Sequence, residues 1–377
     1  MLPLLSALVL ALAAPAYAFI ECSVLSYGGV ADNTTDLGPA LTKTWQQCVI
    51  PNVNSVNSGV ATDVLLYVPA GNYLLASTVT FDDALNWNLH IAGNIYLPFN
   101  PSLTGTMLTF ENCNNIVLNG PGAIYGNGYR YRPGGDLTLY PSRPRLIRFQ
   151  NCNNCDISAV TLYDAPMFHV TVIGNNNVVH NQAIIASHIG ETDGYDMSGN
   201  NNYVHDVNVE NGDECVTVKT PTNGFLAENI VCKWTAGCNI GSFGAGNTAV
   251  NVQNVVYKNV TVSNSDSGIS IKSYPDNAGV VKNISYTGFS FDAAAYPLYV
   301  SVFWAGDGDD TGSLQISDVT YTSISGSGTP TRPGVLLDCN KATPCKAIDF
   351  SGVSLTDTKA NSFTNACGSG LSGLPSC

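Results

Sequence analysis

Apolar and polar residues alternate along this chain in short bursts, and an asparagine or an asparagine pair opens most of them. The pattern appears as Asn114-Asn-Ile-Val-Leu118, Asn153-Asn-Cys-Asp-Ile157, Asn176-Asn-Val-Val179, Asn202-Tyr-Val-His-Asp-Val207, Asn223-Gly-Phe-Leu-Ala-Glu-Asn-Ile230, Val250-Asn-Val-Gln-Asn-Val255 and Lys282-Asn-Ile-Ser285. Alternation of β-branched residues with polar ones predicts strands. The step is 23 residues from Asn154 to Asn177 and 25 from Asn177 to Asn202, within the range that marks repeat architectures. The expected fold is all-β, a right-handed parallel β-helix forming a single solenoid with one coil per repeat. A flat β-sandwich would instead show hairpin turns about every 8 to 12 residues. One segment has helical periodicity: Thr35 to Cys48, with Thr35 as N-cap and Leu37, Ala40, Leu41 and Trp45 on one face. It predicts a short N-terminal capping helix that covers the open end of the solenoid. Val68-Pro-Ala-Gly-Asn-Tyr73 reads as a strand entering a tight turn, and residues 320–377 as a loop-rich closing cap.

Composition sharpens this picture. Only 11% of the 377 residues are charged, against roughly 25% in an average soluble domain. The net charge of −13 argues against a nucleic-acid partner, whose phosphates it would repel. Residues 1–18 carry an apolar run, Leu2 to Ala14, ending in Ala16-Tyr17-Ala18, and read as a signal peptide although the run lacks a preceding Lys or Arg. That run is too short to span a bilayer, so the expectation is a secreted, extracellular chain with no membrane partner and one domain over 19–377. Twelve cysteines in an exported chain favour disulfides. Short intervals suggest Cys22–Cys48, Cys215–Cys232, Cys339–Cys345 and Cys367–Cys377, leaving the pairing of Cys113, Cys152, Cys155 and Cys238 open. Cys152-Asn-Asn-Cys155 has no matching second pair, which argues against zinc. Asn33, Asn259 and Asn283 stand in glycosylation sequons.

Candidate chemistry lies in two similar frames, Glu191-Thr-Asp-Gly-Tyr-Asp196 and Asn211-Gly-Asp-Glu-Cys215. Asp193 lies nine residues before the strand opening at Asn202, and Asp213 ten before the one opening at Asn223. On successive coils about 4.8 Å apart, Asp193, Asp213 and Glu214 would cluster, and glycosidic hydrolysis commonly uses such carboxylates in pairs. Taken alone, Asp193-Gly-Tyr-Asp196 would be a coil corner. His169, His180, His188 and His205 lack ligand spacing and read as packing or surface residues. Tyr299, Phe303 and Trp304 suit either sugar stacking or the core, and Lys272 and Lys219 either a surface or uronate binding.

The ordered set Thr192-Asp193-Gly194-Tyr195-Asp196, Asp213-Glu214-Cys215-Val216, Gly241-Ser242 and Gly268-Ile269-Ser270-Ile271-Lys272 resembles glycoside hydrolases of family 28, the polygalacturonase-like enzymes, over residues 22–340. Departures point to the rhamnogalacturonase branch. The family's Asn-Thr-Asp, Asp-Asp, Gly-His-Gly and Arg-Ile-Lys correspond here to Glu191-Thr-Asp193, Asp213-Glu214, Thr235-Ala236-Gly237 and Ser270-Ile-Lys272. Losing the Arg fits a neutral rhamnose on one side of the bond. The resemblance implies an endo-acting rhamnogalacturonan hydrolase. Asp213 would be the general acid, and Asp193 and Glu214 would activate water. Lys272, Lys219 and Tyr299 would bind the pectic polysaccharide. It also implies inversion of configuration, for which a carboxyl separation of about 6.5 to 9.5 Å is expected. No cofactor or metal is expected, and the chain is expected to be a monomer. Polygalacturonase or xylogalacturonan hydrolase activity is the rival within the class. A calcium-dependent lyase and a catalytically inactive polysaccharide-binding β-helix are the rivals outside it.

Overall fold

A computed structural model describes residues 20–55, 64–83, 85–304 and 309–377. The expected signal peptide over 1–18 lies outside the described residues. Every ladder between the 27 strands of the described residues is parallel, and the coils wind into a right-handed β-helix with three strand-bearing faces. The first face carries, in order, the strands that pair at Phe81, Phe110, Phe149, Val172, Met197, Val218, Ile240, Ile271, Val300 and Leu337. Several strands run on from one face to the next, bent at left-handed residues. In Tyr195–Glu210, Val216–Lys233 and Val250–Ser263 the bends fall at Asp206, Asn229 and Asn259, with φ of 52°, 58° and 55°.

Those bends explain the asparagines. Asn tolerates positive φ better than other residues with a side chain, and its amide both donates and accepts. Stacked one coil apart, such amides form ladders: the Asn259 amide donates to Asn229 at 2.6 Å, and that of Asn229 to Asp206 at 2.9 Å. A second ladder is buried. Asn177 accepts from the Cys155 backbone N–H at 3.0 Å and donates to the Cys152 carbonyl at 2.9 Å, while Asn202 accepts from the Asn177 N–H at 3.0 Å. The bore holds aliphatic residues and aromatic stacks. Tyr257, Tyr286, Tyr321 and Phe350 follow one another at 5.4, 5.3 and 4.9 Å.

The capping segment begins later than the sequence suggested. Thr35 hydrogen-bonds to Asp32, and the helix runs Gly38–Thr44, passes through a wider turn at Trp45–Val49 and resumes over Ile50–Ser55. Asp36 holds its start, accepting from the N–H groups of Gly38 and, across the chain, Ala76 at 3.0 and 2.8 Å. Leu37, Ala40, Leu41 and Val49 bury against the end of the bore, and Trp45 meets Phe81 edge-on at 5.9 Å. All four expected disulfides form, and Cys113, Cys152, Cys155 and Cys238 are buried thiols.

The closing cap is a correction. Coils continue through Ser313–Ser327 and Cys345–Thr356 to a last strand at Ala366–Ser369. Serine and threonine on the outward positions hid these strands. The three sequon asparagines are exposed. No helix among the described residues is long and apolar enough to cross a membrane.

Candidate active site

The outward row of the first face forms the floor of a cleft. In register across the coils stand Arg148, Thr171, Asp196, Thr217, Asn239, Ser270 and Tyr299. Loops entering this face form one wall, and the acids come from them. Tyr195 pairs with Val216, and the Gly194 N–H donates to the Glu214 carbonyl at 2.8 Å, which sets Asp193 level with Glu214 rather than with Asp213. Counting back nine residues from Asn202 and from Asn223 reaches the same pair, Asp193 and Glu214, even though Asn200, not Asn202, pairs with Asn223, because the ladder carries an irregularity between Met197 and Gly199.

The loops are laced together. The Asn211 amide donates to the Thr192 and Glu214 carbonyls at 2.8 and 2.9 Å, and its oxygen accepts the Asp213 N–H at 3.0 Å. Gly212 presses against the preceding loop so closely that a Cβ would stand 2.0 Å from the Ile189 nitrogen. That contact lets the Glu191 N–H reach Asp213 Oδ2 at 2.7 Å. The Glu191 side chain turns away to an ion pair with buried Arg143. The Cys215–Cys232 disulfide fixes the chain just after the acids.

One oxygen each of Asp193, Asp213 and Glu214 lies within 4.8 Å of the others. Measured between nearest oxygens, this is tighter than the separation expected for an inverting pair. Their environments differ. Burial alone would raise Glu214, but Lys272 and Lys219, with hydrogen bonds from Lys272 Nζ at 2.6 Å and Asn239 Nδ2 at 2.7 Å, hold it below the ordinary glutamate value. Asp213 is pushed up to about 6 by burial and by the Glu214 charge. Asp193 is pushed well up by burial, then by Asp196, Asp213 and Glu214. Asp196 is also raised by burial, against the pull of Lys219 at 3.5 Å. Of the cluster, Glu214 is the acid most favoured to be ionised, and Asp193 and Asp213 are the ones favoured to hold protons.

The cleft beside Asp213 encloses about 470 Å³ and is lined by Gly190, Gly212, Asp213, Ala236, Asp266, Ser267, Lys272, Tyr296, Tyr299 and Trp304. Tyr299 and Trp304 therefore face the cleft, whereas Phe303 packs against the core. Lys272 also lies 4.9 Å from the Trp304 ring. Lys219 donates to the Gly241 carbonyl at 2.9 Å. Both lysines are engaged by protein groups. The acids could approach a hard cation, but the Lys272 and Lys219 ammonium groups already balance the charge there. His169 is wholly buried, its Nδ1 against the Thr192 and Asp193 carbonyls, and burial lowers its pKa to about 4; it positions the Asp193 loop as a neutral ring. Sequence reasoning missed Asn239 and gave Asp196 no role. Both hold floor positions whose polarity among apolar neighbours is the only sign. Ser270, expected as the vacancy left by an Arg, donates to Asn239 Oδ1 at 2.6 Å and orients it.

A parallel β-helix with three converging carboxylates over a sugar-sized cleft defines a polysaccharide-cleaving enzyme of the glycoside hydrolase type. The profile of Glycosyl hydrolases family 28 matches residues 61–372, and the chain belongs to that family. It is 33% identical to "Probable rhamnogalacturonase E" of Aspergillus flavus over 92% of this chain and 74% of that one. It is 34% identical to "Rhamnogalacturonase A" of Aspergillus aculeatus over 92% and 75%. The crystal structure of an endo-xylogalacturonan hydrolase from Aspergillus tubingensis superposes with a TM-score of 0.78 at 23% identity, covering 94% of this chain and 100% of that chain, a likeness of fold.

Proposed function

We propose that this chain is a secreted rhamnogalacturonan hydrolase that cuts the galacturonate–rhamnose bond within the pectin backbone, as a monomeric single domain over 19–377 after removal of 1–18. The observation that carries the chemistry is the protonation pattern: Asp213, raised to about 6, lines the cleft beside a Glu214 held ionised by Lys272. In this reading Asp213 gives its proton to the leaving glycosidic oxygen. A water held by Asp193 and Glu214 attacks the anomeric carbon and passes its proton to Glu214. Each Glu214 oxygen, bonded to Lys272 or Asn239, keeps a second lone pair with which to accept the water's proton. In this reading the configuration inverts, although the oxygens lie closer than in an inverting pair, and proton NMR of the first reducing end, read before mutarotation, checks it.

The relatives' names support rhamnogalacturonan as substrate, as does Ser270 where an Arg would clamp a second uronate. Tyr299 would stack on a sugar, and Lys272 and Lys219 would serve it mainly by setting the acids' charge. Glycans at Asn33, Asn259 and Asn283 would sit on the outer surface, away from the floor row. Product analysis on rhamnogalacturonan, homogalacturonan and xylogalacturonan tests the proposal. Rapid cleavage of rhamnogalacturonan with slow cleavage of the other two is expected; equal rates on homogalacturonan would reassign the substrate, and unsaturated products would reassign the reaction.

A further inference from the structure

The cations of the first face fall into two groups. Lys219 and Lys272 are spent on the buried acids, at 3.5 Å from Asp196 and 2.6 Å from Glu214. Arg145 and Arg148 are different: among the described residues neither forms an ion pair. The Arg148 guanidinium donates to the neutral Gln150 Oε1 at 3.0 and 2.6 Å. That of Arg145 lies 5.1 Å over the Phe168 ring. Arg148 stands in the floor row, in register with Thr171, which is in register with Asp196. Two strand spacings, roughly 10 Å, separate it from Asp196. It is partly exposed on the outward side of the strand Arg145–Gln150.

We propose that Arg148, backed by Arg145, is a distal subsite that binds the carboxylate of a uronic acid in the substrate chain. Two neighbouring guanidinium groups, neither in an ion pair among the described residues and with Asp196 and Glu111 acting on Arg148 only from a distance, leave a local positive end in a protein of net charge −13. Burial and then the Arg145 charge hold the Arg148 pKa below its ordinary value, against the weaker pull of Asp196 and Glu111. A carboxylate there would accept two parallel hydrogen bonds and relieve that repulsion. Gln150 keeps the fork in place without neutralising it. The distance from the acids means that the sugar held is not one flanking the scissile bond. The subsite thus selects acidic chains at a remove, while the centre of the cleft, its lysines already paired, is free to take a neutral sugar.

This inference rests on the cleft being a pectin site, but not on which pectin polymer is cut. The test uses the whole chain carrying Arg148→Gln, with circular dichroism to confirm folding, and a length series of oligosaccharides from whichever pectic polymer the unsubstituted protein cleaves. KM should rise roughly 10- to 100-fold, the range of a charge-assisted hydrogen bond, with a smaller effect on kcat. The rise should appear only for oligosaccharides long enough to reach Arg148, disappear when their carboxyls are methyl-esterified, and be partly restored by Arg148→Lys. An equal loss at every length, or no loss in the folded variant, overturns the proposal. If no pectic polymer is cleaved, calorimetric binding of the same acidic oligosaccharides decides, and unaltered affinity in Arg148→Gln overturns it.

Discussion

Asp213 and Glu214 are adjacent in the chain and shifted in opposite directions: burial and then the Glu214 charge raise Asp213, while Lys272 and Lys219 outweigh burial and lower Glu214. The consequence is a bell-shaped dependence of kcat/KM on pH. Its alkaline limb should fall through about 6 as Asp213 loses its proton, and its acid limb should lie below the ordinary glutamate value, where Glu214 gains one. Asp213→Asn, which cannot donate that proton, should lower kcat by about 10²- to 10⁴-fold while the protein still unfolds cooperatively; near-normal turnover would remove Asp213 from the acid role. Lys272→Met makes a second, independent claim. It leaves Glu214 buried without its cation, which costs about 3 to 5 kcal/mol and should move the acid limb upward, both readable from thermal unfolding and a pH–rate profile. Asp193, Asp213 and Glu214 were legible in the sequence because two carboxylate frames recur one coil apart. Asn239 was not, since its importance comes from which carboxylate its strand register places it beside.

At the scale of the coil, asparagine contributes through geometry that repeats. The buried Asn177 closes hydrogen bonds to two neighbouring turns, so Asn177→Ala orphans the Cys155 N–H and the Cys152 carbonyl. At about 1 to 3 kcal/mol for each unsatisfied buried group, the loss should be several kcal/mol, seen as a lower Tm. Asn200→Ala, in an exposed ladder and not at a left-handed position, should cost about 1 kcal/mol or less. Equal losses would mean that burial does not decide the value of a ladder. The same asparagines made the strands readable in advance, since few other residues both accept a left-handed bend and hydrogen-bond along the stack. Two things escaped. The irregular step in Val216–Lys233 shifts every frame counted through it. The last coils escaped too, because Ser and Thr on the outward positions of Ser313–Ser327 weaken the alternation that marks a strand.

Over the whole molecule, a solenoid that buries acids in one cleft stores its electrostatic cost in the folded state. In the unfolded chain these carboxyls titrate at ordinary values; in the fold, Asp193, Asp196 and Asp213 bind protons more tightly, with Asp213 raised from 3.8 to about 6. Between those two values the native state holds more protons than the unfolded one. The slope of stability against pH is therefore negative there: the contribution is fully present below the ordinary carboxylate value and is lost as pH rises through about 6. For Asp213 alone the loss is on the order of 3 kcal/mol. Glu214, lowered in the fold, works in the opposite direction and only under more acidic conditions. Buried His169 works against this: its pKa is lowered from 6.5 to about 4, so between those values the unfolded chain holds its proton, the fold does not, and its contribution grows as pH rises. The slope of the parent is the balance of the raised aspartates against His169, and the share of Asp213 is read from the difference between parent and variant. Asp213→Asn carries no titrating proton at that position, so its Tm should fall less, or rise more, than that of the parent between about pH 4.5 and 7. Differential scanning calorimetry of both proteins at a series of pH values measures it. A variant with the same slope as the parent would show that Asp213 is ionised at rest and cannot be the proton donor.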